Sequence, residues 1–243
     1  MAGRVSSSGV RVDKPGSRLA VDAPLEVRPG PRYVSRGGEK LAGAVSVLDR
    51  PPTDRSALDV GASTGGFTQV LLENGVRRIV ALDVGKGQLD WTLRNDPRVI
   101  PLEGINARYL ERSALPFVPD LVVMDVSFIS VVQVLPAVMR CATDDAEALV
   151  LVKPQFEVGK GQVGRGGIVR EREKHREVLG RVAVFALDHG WPVLHVLRSP
   201  IPGAEGNVEF FLHLRPGLPG LTVASLGRAI DAAVWPDRPE EQR

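Results

Sequence analysis

The sequence predicts a doubly wound α/β domain with a mostly parallel sheet, preceded by a small β-rich piece. From about Ser56 onward, short apolar runs alternate with longer stretches of helical periodicity, the pattern of parallel strands covered by helices on both faces. The first run delivers "LDVGASTGGF", Leu58 to Phe67, and a strand followed by a small-residue turn and a helix is where open α/β sheets place a ligand. In front, "GRVSSSGVRVDKPGSRLAVDAPLEV" breaks short Val-containing runs with Ser-Gly and Pro-Gly turns.

The expected strands are Ala57 to Val60, Arg78 to Asp83, Val99 to Leu102, Asp120 to Asp125, Ala148 to Lys153, Val193 to Leu197 and Val208 to Leu214. Helical periodicity covers Thr64 to Glu73, Leu89 to Arg94, Val131 to Arg140 and Arg170 to Asp188. Only "RSPIPGAEGN" joins the last two strands, so they form a hairpin, giving seven strands with one reversed near the sheet edge. "GEKLAGAVSVLD" has the apolar spacing of a short amphipathic helix packed on this domain. The resulting organisation is a front piece at 1–27, a Pro/Gly-rich linker at 28–38, the main domain at 39–236 and a frayed tail at 237–243.

Composition narrows the function classes. With 43% hydrophobic and 25% charged residues in 243, the chain reads as an ordinary globular protein, without a signal peptide or an apolar run of about 20 residues, so the cytoplasm is the expected compartment. One cysteine, Cys141, excludes an intramolecular disulfide, and the four histidines show no metal-ligand spacing, so no metal is expected. Residues 1–50 hold nine Lys/Arg against five Asp/Glu, whereas the rest hold 22 against 24. A basic front end suits a nucleic-acid partner and equally a solvated face.

The turn decides between cofactors. Gly61, Gly65 and Gly66 do not make G-x-G-x-x-G, and Asp59 stands directly before the first glycine. A carboxylate there repels a pyrophosphate but suits the ammonium and sulfonium groups of S-adenosylmethionine. Asp83 closes the next strand, where it can accept both ribose hydroxyls of either cofactor, and the adenine belongs near Glu103 to Asn106. The expected cofactor contacts are Asp59, Gly61, Ala62, Ser63, Thr64, Gly65, Gly66, Phe67, Asp83, Asn106 and Asp125. Tight turns and helix caps would account for the same residues without a ligand.

Methyl acceptors are told apart at the ends of strands four and five. Amine methylation calls for Asn/Asp-Pro-Pro-aromatic, and the sequence there is "VMDVSFIS". Pyrimidine carbon-5 methylation needs a cysteine nucleophile, but Cys141 ends a helix and reads as a small hydrophobe. Asp125 and Lys153 remain. A lysine closing "ALVLVK" can snorkel at a strand edge, or, made neutral by a nearby cation and partial burial, take the proton from a ribose 2′-hydroxyl. Lys40 can be that cation, with Asp125 and Glu209 orienting the pair.

"YVSRGGEKL", "LDVGASTGGF", "ALDVGKGQL", "VMDVSFIS", "LVKPQFEVGKGQVGRGGIVR" and "GNVEFFL" together resemble the TlyA family of ribosomal-RNA methyltransferases, also labelled haemolysins and related to FtsJ-type 2′-O-methyltransferases. The resemblance implies the class I, Rossmann-like methyltransferase fold, S-adenosylmethionine as cofactor, and a cytidine 2′-hydroxyl in the rRNA of ribosomal subunits or ribosomes as acceptor. It implies a catalytic Lys-Asp-Lys-Glu tetrad, which falls on Lys40, Asp125, Lys153 and Glu209. Family members open with a small RNA-binding domain of two helices and a β-rich half, so residues 1–27 correspond to that second half. Phosphate contacts are then expected from Arg4, Arg11, Lys14, Arg18, Arg32 and Arg36. Lys160 and Arg165, in a glycine-rich loop that fails the G-x-x-x-x-G-K-[ST] pattern, close over the target or merely connect. Phe128 or Phe156 can stack on RNA or belong to the core.

Overall fold

The structure is a computed structural model describing residues 5–237 except 13, 15, 29 and 160, so nearly all of the expected tail lies outside the described residues. It divides into two compact units, 1–32 and 33–243. The smaller contains a three-stranded antiparallel sheet of β1 (Val5–Ser7), β2 (Val10–Arg11) and β3 (Leu25–Val27), ordered β2-β1-β3. Leu25 and Val27 are exposed on it.

The larger unit begins within the stretch expected to be a linker. Tyr33 is buried, and α1 (Arg36–Ala42) starts ahead of the expected amphipathic segment, whose second half is a 3₁₀ turn at Val45–Val47. Then come β4 (Ser56–Val60), α2 (Gly66–Glu73), β5 (Arg78–Asp83), α3 (Trp91–Arg94), β6 (Val99–Glu103), β7 (Leu121–Met124), α4 (Val131–Cys141) and β8 (Glu147–Val152). The chain continues through α5 (Pro154–Glu157), α6 (Arg172–Asp188), β9 (Val193–Arg198), β10 (Phe210–Leu214) and α7 (Val223–Val234).

The seven-stranded sheet is ordered β6-β5-β4-β7-β8-β10-β9, with β10 antiparallel to both neighbours. Every residue of β4, β7, β8 and β10 is buried, because helices cover both faces of the sheet. In α4, for example, Val131, Val134, Leu135, Val138 and Cys141 form the buried stripe at helical spacing. Cys141 thus packs in the core, and burial pushes its thiol pKa up, away from nucleophilic use.

Two expectations change. The last strand starts at Phe210 rather than Val208, so Glu209 sits just before the ladder. Helix α7 was not expected; Thr222 caps it by accepting from Ser225 N (3.2 Å), and Ile230, Ala233 and Val234 anchor it.

Candidate active site

Strand order reverses between β4 and β7, and the site lies at their carboxyl ends. Gly61 makes this approach tight: its φ is +86°, and a Cβ there would come within 2.5 Å of the Asp125 carbonyl oxygen. At Gly66 a Cβ would lie 2.3 Å from Ser35 Oγ and 2.6 Å from Gly38 N, so glycine lets α1 and α2 meet.

Two cavities share this turn. One, of about 350 Å³, is lined by Gly61, Ser63, Asp83, Asn106, Asp125 and Phe128 among others, with apolar walls from Leu82, Ile105 and Val126. The second, of about 190 Å³, is lined by Ser35, Gly37, Ala62, Thr64, Gly66 and Phe67 and reaches Lys153. Gly61, Ser63, Asp125 and Ser127 belong to both. Asp83 is held by backbone N–H groups: Ser63 N donates to Oδ2 (2.8 Å) and Gly85 N to Oδ1 (2.7 Å). Asn106 Oδ1 accepts from Arg108 N (3.0 Å). Glu103, at the start of the stretch expected near the adenine, accepts from Gly87 N (3.0 Å) and Arg94, which hold its pKa below the usual carboxylate range.

Asp59 and Gly65 are not on either cavity wall. Asp59 is fully buried beneath the turn, where Thr68 Oγ1 donates to Oδ2 (2.7 Å) and Oδ1 meets no hydrogen-bond donor among the described residues. Burial, opposed by the Thr68 hydrogen bond and reinforced by repulsion from Asp125 and Asp83, pushes its pKa up to about 7. Asp59 therefore lies behind the turn in this structure, with one carboxylate oxygen engaged by Thr68.

The four residues of the expected tetrad form two ion pairs. Lys153 Nζ lies 2.6 Å from Asp125 Oδ1 and donates to Ser127 Oγ (2.7 Å). Lys40 Nζ lies 2.6 Å from Glu209 Oε2, both side chains being nearly buried, and Gln155 Nε2 donates to Glu209 Oε1 (3.1 Å). The tetrad is therefore organised as two pairs, and Ser127 and Gln155 are partners that sequence reasoning passed over. Each is legible afterwards, two residues beyond Asp125 and Lys153 respectively.

The basic residues divide. Arg11, Lys14, Arg18, Arg32, Arg36 and Arg165 are exposed, and Arg36 also donates to the carbonyls of Pro202 and Gly203 and so braces the β9–β10 loop. Arg4 and Lys160 lie outside the described residues. Phe128 is not core: it is 90% exposed, with φ +63°, and its ring lies 5.0 Å from that of Phe156. At the sheet's other end, ligand atoms of Asp49, Glu147 and His213 lie within 4.8 Å of one another, which no sequence spacing announces. Burial works to raise the Glu147 pKa, but its hydrogen bond with His213 and the guanidiniums of Arg55 and Arg50 hold it down to about 2 and already neutralise the carboxylate.

Residues 33–216 match the family model described as FtsJ-like methyltransferase, and a TlyA protein is 49% identical over 216 residues. The chain belongs to the FtsJ-like methyltransferase family, in its TlyA branch. That relative, the 16S/23S rRNA (cytidine-2'-O)-methyltransferase TlyA of Mycobacterium tuberculosis, is matched over 88% of this chain and 81% of its own. Hemolysin A of Brachyspira hyodysenteriae is 37% identical, covering 88% of this chain and 89% of its own. A hemolysin structure from Streptococcus thermophilus, 41% identical, superposes with a TM-score of 0.80 over 100% of this chain and 90% of that one. As a TlyA-type enzyme, the chain carries the S-adenosylmethionine-dependent methyltransferase fold expected from its sequence, including the single reversed strand.

Proposed function

We propose that this methyltransferase transfers the methyl group of S-adenosylmethionine to the 2′-hydroxyl of a cytidine in ribosomal RNA, within a subunit or the ribosome. The observation that carries this reading is Lys153, held between Asp125 and Ser127 on the wall of the smaller turn cavity. The relatives' activity agrees with it. The donor set fits the cofactor. Asp83 faces the larger cavity as a ribose acceptor, the walls of Ile105 and Val126 suit a flat base, and Asp125 at the junction suits a cation. When bound, that cofactor supplies an electrophilic methyl on a positively charged sulfur.

The chain's own residues prepare the nucleophile. Once its ammonium has released a proton, the Lys153 amine is placed to take the hydroxyl proton, which returns it to the charged form that pairs with the Asp125 carboxylate. Ser127 fixes the direction of Nζ, while Glu209 holds the Lys40 ammonium in a fixed, buried pair. Phe128 offers an exposed aromatic face on which an unstacked base can rest, and its left-handed backbone is strain of roughly 1–3 kcal/mol of the kind concentrated at functional sites. Exposed Arg11, Lys14, Arg18, Arg32 and Arg165 are the phosphate contacts of this reading, with Arg4 and Lys160 added from sequence.

A membrane-damaging role, as the name of the Brachyspira relative suggests, finds no support in the helices: among the described residues none is long and apolar enough to cross a membrane. Transfer of labelled methyl from S-adenosylmethionine to unmodified ribosomal subunits tests the proposal. Wild type labels RNA, and Lys153→Arg binds cofactor while turnover falls by roughly 10²- to 10⁴-fold, since arginine cannot lose its proton. Substantial turnover by that variant would reduce Lys153 to a substrate-positioning group.

A further inference from the structure

The glycine-rich segment between Phe156 and Val169 is fastened at its exit by one side chain that the reaction chemistry does not use. Asn207 is 4% exposed, and its amide grips the segment at two backbone points. Val169 N donates to Asn207 Oδ1 (3.1 Å), and Asn207 Nδ2 donates to Gly167 O (3.0 Å). Val169 is itself buried, and its carbonyl accepts from the His175 ring (2.9 Å), whose edge packs on Phe210. Just before this anchor, Gly164 N donates to Ile168 O (3.1 Å) and closes a tight turn that presents Arg165 to solvent.

The other side of Asn207 leads straight to the catalytic machinery. Glu209 follows two residues later, and Gly203 N donates to the Asn207 carbonyl (2.8 Å). Gly203 lies against the Glu209 carboxylate so closely that a Cβ there would come within 2.0 Å of Oε1. Asn207 is thus the shared element of two structures, the exit of the Arg165 turn and the strand start that carries Glu209.

We propose that Asn207 is a positioning residue that docks the glycine-rich loop against the Glu209 segment, and so sets where the loop meets the RNA substrate. An asparagine is required because the two backbone points present a donor and an acceptor, and only an amide answers both with one planar group. Neither cavity at the cofactor turn is lined by Asn207, so cofactor binding is independent of this docking. The inference rests on the RNA-methylation reading for its effect on substrate, but not for the docking itself.

Asn207→Asp is the sharp test: one oxygen still accepts from Val169 N, while the other faces the Gly167 carbonyl with no hydrogen to share. Asn207→Ala, which removes both hydrogen bonds, is the companion. Three measurements are made on each variant of the 243-residue chain: S-adenosylmethionine affinity by calorimetry, the rate of native-state tryptic cleavage after Arg165, and KM and kcat for RNA at saturating cofactor. The expected result for Asn207→Asp is cofactor affinity within twofold of wild type, cleavage after Arg165 at least tenfold faster, and KM for RNA raised at least tenfold. Simple loss of folded protein would instead lower kcat in proportion and leave KM unchanged. Unchanged cleavage and unchanged KM in both variants, or cofactor affinity lost in both, would overturn the inference. If wild type itself fails to methylate RNA, the functional reading fails, and the cleavage arm still decides whether Asn207 docks the loop.

Discussion

Removing Glu209 separates what the Lys40–Glu209 pair does for the fold from what it does for the reaction. The ammonium and carboxylate are 2.6 Å apart, with side chains 9% and 2% exposed, so water cannot replace either partner. Glu209→Ala leaves Lys40 charged in a buried site and strips Gln155 of its acceptor. Breaking a buried pair from one side costs about 3–5 kcal/mol, whereas replacing both partners with apolar groups of similar volume is often neutral or stabilising. With a urea m-value of about 2–3 kcal/mol/M, the Glu209→Ala midpoint falls by about 1–2 M. The Lys40→Met/Glu209→Leu double variant returns close to the wild-type midpoint, yet transfers methyl no better than the single variant. Urea titration followed by circular dichroism reads the first effect, and labelled-methyl transfer reads the second. A Glu209→Ala midpoint unchanged from wild type would refute the burial argument, and an active double variant would remove the pair from the reaction.

Three further outcomes follow from the same geometry. Asp83→Asn keeps the shape of the β5 end but loses the charged acceptor, so calorimetry should show S-adenosylmethionine binding weakened by about 1.5–3 kcal/mol; unchanged affinity would take Asp83 out of the site. Asp59, whose pKa is raised from 3.8 to about 7, binds its proton more tightly folded than unfolded, so its contribution is fully present below pH 3.8 and is lost as pH rises toward 7. Asp59→Asn should therefore match wild type near pH 4 and exceed it at pH 8 by an amount of order 4 kcal/mol, and parallel stability curves across that window would show the carboxyl is not desolvated. Neutralising Arg11, Lys14 and Arg18 together should weaken RNA binding regardless of sequence, while cofactor affinity stays put. The plot of log affinity against log salt should flatten by up to about 0.9 for each duplex phosphate that is no longer neutralised. An unchanged salt slope would move the RNA-facing surface to the larger unit, beginning with Arg165.

The sheet was legible because its central strands are buried on both faces and announce themselves as apolar runs, and the reversed β10 because a ten-residue Pro/Gly connection is too short for a parallel crossover. Helix α7 escaped notice behind "RPGLPG", with Gly227 in its middle; its signal is Thr222 followed by apolar residues at Leu226, Ile230 and Ala233. The polar residues at the strand ends were readable by type, but their pairing was not. Phe210 pairs with Val152 in the ladder, bringing Glu209 to the end of β8 beside Lys153, yet its carboxylate meets Lys40, 169 residues away. That choice depends on where α1 packs, which no local pattern encodes. Asp59 shows the same limit: next to last in β4, it accepts from Thr68 on α2, and only the packed structure shows which side it faces.

If the site methylates a ribose oxygen of cytidine, nucleoside mass spectrometry reads the product most directly. Ribosomal RNA from subunits incubated with the enzyme and S-adenosylmethionine is digested to nucleosides, and the added methyl is located on sugar or base by fragmentation. The expected product is a single new species, 2′-O-methylcytidine, absent when Lys153→Arg replaces the wild-type enzyme. A methyl on the base, or on a nucleoside other than cytidine, would contradict the proposed reaction.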